Sequence, residues 1–298
     1  MVRNRVAALG GLIASLVSPP LAAADIAILT DPSVAPYVQT VAGIRGRGGS
    51  IVQVDIRSSG AVSEVRGSNP VVVVAVGQQA LVTARRSFAD LPIVFANVLA
   101  PQQYGLGANV TGVPLEVGAE AQLRGIHELL PSVRRVGIVY NPSIFAAFVA
   151  DTRGRAGALG LEIVEARVGS AREVQAAVQR LLGSADALLL LPDPSLWSRD
   201  TLSFTLLQGL ERRKPVIGFL DALTQSGALL SFAPDYGAIG ARARELVDRI
   251  LTQPRDRPAQ VPPLAYARGR ASLNMSTATR VRARMPADAE RRVQRVFR

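Results

Sequence analysis

The chain has 298 residues, 48% of them hydrophobic and 19% charged, with no cysteine and one histidine, His127. A disordered chain would be more polar and more charged, so the length and composition predict a large core and two domains of ordinary size. The absence of cysteine excludes disulfides, thiolate metal sites and cysteine nucleophiles, and a lone histidine excludes a multi-histidine metal site.

The formal net charge of +11 is concentrated at the two ends. Arg3 and Arg5 lie near the start, and nine arginines stand against Asp288 and Glu290 after Tyr266, which leaves the middle near neutral. A protein that tracks nucleic acid would spread its basic residues along a groove and interleave aromatics, so no nucleic-acid partner is expected. The end of the chain, with its basic tail over 287–298, reads as a solvated C-terminal helix.

In chain order, a short basic stretch (Met1–Arg5) precedes a run of twelve apolar residues, Val6–Val17, and small residues before Asp25. This is the layout of a secretory signal peptide over 1–24, cleaved near Ala24. Spanning a bilayer takes about 20 apolar residues, and Pro19-Pro20 would break a helix there. No cysteine follows the cleavage position, so no lipid anchor is expected.

Beyond residue 25, short Val/Ile-rich runs alternate with longer segments of helical spacing. The runs are Ile26–Leu29, Ile51–Ile56, Val71–Val76, Ile93–Ala96 and Val110–Val113, then Arg135–Tyr140, Leu161–Val168, Ala187–Leu191, Val216–Phe219 and Leu229–Phe232. Near-continuous apolar strands are buried on both faces, which predicts parallel sheets covered by helices. Ten such strands suit two sheets of about five, one before about residue 115 and one over about 133–233. The expected class is α/β, with two doubly wound parallel-sheet lobes.

Among the helices, Glu116–Leu130 carries Leu123 and Ile126 on one face and stops at Pro131. His127 sits at the border of that face as a half-buried packing residue. Ser170–Glu173 reads as a capping box opening a helix that ends at Gly183. A further helix is marked by Ile239, Ala243, Leu246 and Ile250, with Glu245 and Arg249 spaced as an i, i+4 pair.

In open parallel sheets, ligands sit beyond the carboxyl ends of the strands. The residues there are small polar groups, amides and carboxylates: Asp31, Ser33, Gln78 and Asn97 in the first half, and Asn141, Ser143, Asp193, Ser195 and Asp221 in the second. Each type also builds turns and caps helices; their concentration on one edge of both sheets is the signal. Phe219, Tyr236 or Tyr37 would supply an apolar wall. No G-x-G-x-x-G, phosphate loop or G-x-S-x-G elbow is present, and no catalytic set emerges. Asp31, Asp193, Asp221 and Asp235 suit either a pair of glycosidase acids or the capture of an ammonium. Trp197, alone near a helix start, reads as core.

These residues also carry a family resemblance. Leu91–Phe95, Asn109–Val113, Leu130-Pro131 with Arg135–Pro142, Leu191–Asp193, Lys214–Gly218, Gly227–Leu230, Asp235-Tyr236 with Gly240, and Leu273-Asn274 with Thr277-Ala278 and Met285-Pro286 follow one another in order. The chain resembles the ABC-transporter substrate-binding proteins of the tryptophan/tyrosine type, over essentially all of 25–286. The resemblance implies the type I periplasmic binding-protein fold: one lobe of 25–115 plus 237–265, and another of 116–236 plus 266–286. It further implies an exported periplasmic monomer that captures an amino-acid-like molecule and hands it to an ABC transporter permease, touching the membrane only there. Neither a cofactor, a metal nor catalysis is implied. Two positions depart from the family pattern: Gly77-Gln78 stands where many relatives have Gly-Thr, and Ala100-Pro101 where many have Asp-Pro. The alternatives are an envelope ligand-sensing or docking module without a transport role, and a secreted hydrolase.

Overall fold

A computed structural model of the chain describes residues 24–46, 49–254 and 260–298. The expected signal peptide, apart from Ala24, lies outside them. The first five apolar runs form β1 (Ile26–Thr30), β2 (Ile51–Asp55), β3 (Val72–Val76), β4 (Ile93–Val98) and β5 (Val110–Pro114). The next five form β6 (Arg135–Tyr140), β7 (Glu162–Arg167), β8 (Ala187–Leu190), β9 (Val216–Gly218) and β10 (Leu230–Ala233).

The first sheet is parallel, in the order β2-β1-β3-β4-β5. Every residue of β1, β3, β4 and β5 is buried, while the edge strand β2 is half-buried. The second sheet repeats that order as β7-β6-β8-β9-β10 and then adds β11 (Arg270–Asn274) and β12 (Arg295–Phe297). Among the described residues only the β10–β11 pairing is antiparallel. Neither added strand has the apolar run of a doubly buried strand. The C-terminal segment thus ends in a sheet strand, where a solvated helix was expected.

Helices α1 (Ala35–Arg45), α2 (Ala61–Gly67), α3 (Gln78–Ser87), α4 (Ala119–Leu129) and α5 (Pro142–Ala156) alternate with the strands. They are followed by α6 (Ala171–Ser184), α7 (Arg199–Glu211), α8 (Asp221–Gln225), α9 (Tyr236–Leu251) and α10 (Met275–Val281). Helix α9 leaves the second sheet and packs on the first, against α1, β4 and β5. Side-chain-free surfaces make this close: a Cβ on Gly240 would overlap the Thr40 carbonyl oxygen, and one on Gly43 the Gly237 oxygen. Ile239, Ala243, Leu246 and Ile250 supply the buried face of α9, as their spacing predicts.

Local details differ from the sequence reading. Helix α4 starts at Ala119, so Glu116 lies before it in a crossover. Ser170 accepts no backbone cap bond; its hydroxyl donates to Glu173 Oε1 at 3.0 Å, and that oxygen also accepts from Gly169 N at 3.1 Å. The reciprocal capping box is instead Ser198 with Thr201, at the start of α7. Helix α6 passes through Gly183 and is capped at Ala185. Glu245 pairs with Arg242 on its own helix, and His127 is exposed rather than half-buried.

Three chain segments cross between the sheets: Leu115–Gly118, Pro234-Asp235, and the stretch 264–269. They lie side by side, with Leu115, Glu116, Pro234, Asp235, Ala267 and Arg268 around one small hollow. A Cβ on Gly269 would overlap Val117 and sit 3.0 Å from the Ala233 carbonyl oxygen, so only glycine lets the three pass this closely.

Candidate functional site

The strand order reverses between β1 and β3 in one sheet and between β6 and β8 in the other. Helices leaving to opposite faces at such a point open a crevice at the carboxyl ends of the strands. In the first sheet it is bordered by Asp31 and Ser33 after β1 and by Gly77 after β3. In the second it is bordered by Asn141 and Ser143 after β6 and by Asp193 and Ser195 after β8. The latter two loops are joined directly, because Asn141 Nδ2 donates to Ser195 Oγ at 3.4 Å.

Each loop organises its own donors. Asp31 Oδ1 accepts from Ser33 N at 2.9 Å and Ser33 Oγ at 2.6 Å. The Ser33 hydroxyl and amide hold the Asp31 carboxyl below its ordinary value, helped by Arg57 at 3.4 Å. Asp193 builds the same turn, with Ser195 N at 2.9 Å and Ser195 Oγ at 2.6 Å on its Oδ1. Asn141 caps α5 by accepting from Ser143 N at 3.0 Å, and Asp235 caps α9 by accepting from Ala238 N at 3.0 Å. Gly77, at φ +93°, precedes α3, and the Tyr37 ring is packed against it: a Cβ there would lie 2.5 Å from the Tyr37 hydroxyl.

Certain buried polar atoms have no partner in the protein. Among the described residues these include Thr30 Oγ1 at the end of β1, Asn97 Oδ1 at the end of β4 and Asp193 Oδ2 after β8. Thr30 and Asp193 are each 1% exposed. An unpaired buried polar atom costs about 1–3 kcal/mol, and Thr111 Oγ1 within β5 and Asp221 Oδ1 at the start of α8 are unpartnered as well. Asn97 also takes the left-handed conformation, at φ +57°, where the β4–β5 register shifts. Its Nδ2 donates to Thr40 Oγ1 at 2.6 Å, and Thr40 lies 3.1 Å from the Tyr236 carbonyl oxygen that it bonds. The chain Asn97–Thr40–Tyr236 therefore ties the end of β4 to the start of α9.

At the base of the crossovers lies a narrow apolar cavity of about 60 Å³, bordered by Leu115, Glu116, Pro192, Phe219, Phe232 and Tyr236. Two of its residues, Leu115 and Tyr236, also pack against the core of the first sheet. Glu116 is its acid: Oε2 accepts from Ala100 N at 3.1 Å, and burial pushes the carboxyl up to about 7. Tyr266, on the third crossover, is raised to about 12, first by burial and then by the charge of Glu116.

Of the residues singled out in the sequence, Asn141, Ser143 and Asp193 share one crevice with Ser195. Asp31 and Ser33 border the opposite one. Phe219 and Tyr236 meet across the basal cavity, and Asn97 reaches Tyr236 through Thr40. Gln78 lies apart, in a shallow exposed hollow with Tyr37 and Arg86. Asp221 turns to the outer side of its sheet, where its Oδ2 accepts from Arg295 of β12 at 3.2 Å, although its Oδ1 is buried and unpartnered. Trp197 is core, its indole N–H donating to the Leu191 carbonyl at 2.7 Å. Glu116, Thr30 and Thr40 were not marked by the sequence. For Glu116 the signal was a lone acid inside the apolar stretch Val113–Val117. Among the described residues no His, Asp or Glu cluster suits a metal ion, and no helix is long and apolar enough to cross a membrane.

This geometry has relatives. Residues 57–289 match the family described as ABC transporter substrate binding protein. A tyrosine-binding protein of Clostridioides difficile is 25% identical over 189 residues, 60% of this chain and 54% of the relative. The chain thus aligns with about half the length of that curated relative. Among solved structures, the ABC domain from Streptococcus pneumonia in complex with L-Trp superposes with a TM-score of 0.60 at 20% identity, covering 93% of this chain and all 100% of the other. The ligand-free, open structure of a substrate binding protein with adhesive properties from Clostridium difficile gives 0.66 at 18% identity, covering 92% and 99%. With the family match spanning most of the chain and these structures sharing its two-lobed α/β fold, the protein belongs to the ABC transporter substrate binding protein family.

Proposed function

We propose that this substrate-binding protein captures a small, amino-acid-like molecule between its two sheets and delivers it to an ABC transporter permease. The observation that supports this reading most is the set of buried, unpartnered polar atoms, Thr30 Oγ1, Asn97 Oδ1 and Asp193 Oδ2, at the carboxyl ends of strands in both sheets. Phe219 and Tyr236 give an apolar wall between them. The names of two relatives, a tyrosine-binding protein and an L-Trp complex, fit a ligand that joins a charged head to an apolar body.

The mechanism is population shift. The loop after β4 already bridges the two sheets, since Ala100 packs into the core of the second and Asn97 reaches Tyr236 through Thr40, whereas the loops after β1, β6 and β8 bond within their own sheet. A ligand contacting both faces adds free energy only when they close on it. Ligand-driven closure then presents a changed surface to the permease. Three or four charge-assisted hydrogen bonds at about 1.5–3 kcal/mol each, less the cost of ordering, reach the roughly −8 kcal/mol of micromolar binding. The proposed setting is the periplasm, as a monomer, with binding and no turnover.

Thermal unfolding against a panel of amino acids, amines, sugars, purines and peptides tests this reading. A ligand at about 100 times its dissociation constant adds about 2.7 kcal/mol, a shift of several degrees for a protein of this size. A saturable shift with one chemical class is expected. No shift with any class, before or after refolding from denaturant, would overturn it.

A further inference from the structure

We propose that the Glu116 side chain is a proton-operated latch between the two sheets: when neutral it lets them pack together around it, and when ionised it favours their parting. The bearing of this latch on ligand capture rests on the solute-binding reading above, and deepens it. The latch itself is tested without a ligand.

The position of Glu116 carries the proposal. It stands in Leu115–Gly118, one of the three crossovers that any relative movement of the sheets must bend, and is 5% exposed. Its Oε2 accepts from Ala100 N at 3.1 Å, and Ala100 lies on a loop of the first sheet yet packs in the core of the second. The apolar cavity of about 60 Å³ beside the carboxyl has walls from both sides. Leu115 and Tyr236 pack with the core of the first sheet, and Phe219 and Phe232 with cores of the second. The acid is therefore enclosed by surfaces that separate when the sheets part.

Nothing around it supplies a compensating charge. Besides Glu116, the Tyr236 phenol is the one ionisable group bordering the cavity. Asp235 and Arg268 border the small hollow on the other side. Asp235 is committed to Ala238 N as the cap of α9, and Arg268 is exposed and makes no bond to the acid. Tyr266, on the third crossover, is raised to about 12, first by burial and then by the charge of Glu116, so it stays neutral. Behind it, Asp151 and Arg155 of α5 pair with each other at 2.8 Å. From α4, Gln122 gives its Nε2 to the Val117 carbonyl at 2.6 Å.

A buried carboxylate lacks the hydration that a neutral acid does not need, so losing the proton favours the form in which water reaches the site. The ratio of parted to enclosed forms thus rises with pH between the ordinary value of 4.5 and about 7, and levels off above it. The ceiling on the change is roughly a few hundredfold.

Because the chain has no cysteine, one pair of spin labels can be placed without interference. Val38→Cys on α1 and Leu207→Cys on α7 replace side chains that are 51% and 53% exposed, one on each sheet's helices. Double electron–electron resonance of the ligand-free, labelled protein between pH 4.5 and 8.5 reads the distance between them. The distribution is expected to move to longer distances as pH rises, with more than about a tenfold change in the ratio of the two forms. Glu116→Gln is expected to keep the short distance throughout. His127→Gln, a control because histidine side chains change charge in the same range, is expected to keep the shift. A distribution that does not move with pH, that moves equally in Glu116→Gln, or that stops moving in His127→Gln would overturn the proposal. If Glu116→Gln does not fold, the direction and range of the shift in the other two proteins decide it. Failure here leaves the solute-binding reading intact, whereas silence of every ligand class in the thermal panel fails that reading and leaves the distance measurement untouched.

Discussion

Glu116 Oε2 accepts the backbone N–H of Ala100 at 3.1 Å, and this bond ties the first crossover to a loop held in the left-handed region at two non-glycine residues. Asn97 and Ala100, at φ +57° and +41°, bracket that loop. Such conformations cost about 1–2 kcal/mol each in an L-residue and persist only where the surroundings impose them. Here the surroundings are a buried carboxyl on one side and the Thr40 hydroxyl on the other. The crossovers are thereby coupled to the end of β4.

The first prediction concerns pH. Burial raises the Glu116 carboxyl from 4.5 to about 7, so the folded protein holds a proton there that the unfolded chain gives up. Stability from this group is fully present below about pH 4.5 and is lost as pH rises to about 7, by an amount on the order of 3 kcal/mol. Urea midpoints of wild type and Glu116→Gln are expected to diverge across that window, the variant lacking this component of the pH dependence. Parallel curves would show that Glu116 is not the titrating group.

Asn97 offers a separation of backbone from side chain. Asn97→Ala loses the bond to Thr40 and keeps an unfavourable φ, and is expected to destabilise the fold by about 2–3 kcal/mol. Asn97→Gly loses the same bond but relieves the backbone, and is expected to cost at least about 1 kcal/mol less. Equal midpoints in denaturant would contradict the assigned strain.

The packing of α9 on α1 leaves no room for side chains at Gly240. Gly240→Val is expected to cost more than about 2 kcal/mol and lower the unfolding temperature by several degrees. Substitution to alanine at Gly183, around which nothing lies within 4 Å, should be neutral or slightly stabilising. Calorimetry of the two variants measures the contrast.

The two aspartates of the second sheet should behave differently. Asp193 keeps a buried free oxygen in the crevice with Asn141 and Ser195, whereas Asp221 is held by Arg295 at the outer side. Asp221→Asn is expected to leave ligand affinity within about twofold. It should cost less than about 1 kcal/mol of stability, as suits a pair whose arginine side chain is 61% exposed. Asp193→Asn is expected to weaken binding more than about tenfold. Equal losses would move the site outward along the sheet.

How much of this was legible in the sequence follows from what each signal depends on. The ten apolar runs declared their strands because a doubly buried strand needs apolar residues on both faces. β11 and β12 escaped notice because Arg270–Asn274 and Arg295–Phe297 mix polar and apolar residues, and their pairing is set by Leu230–Ala233 and by each other. Asp31, Asn141 and Asp193 were found because Asx turns after strands have a local signature. Whether such a residue's spare oxygen is buried is a tertiary fact, and that separates Asp193 from Asp31, whose side chain is 22% exposed. Glu116 looked like the first turn of a helix, and only the crossover geometry shows it buried.

The central claim is that a small molecule bound between the sheets draws them together. Small-angle X-ray scattering of the protein, alone and saturated with the compound giving the largest thermal shift, measures this most directly. A smaller radius of gyration on saturation is predicted, with no contraction when Asp193→Asn is given the same concentration. An unchanged scattering profile with the ligand demonstrably bound would contradict it.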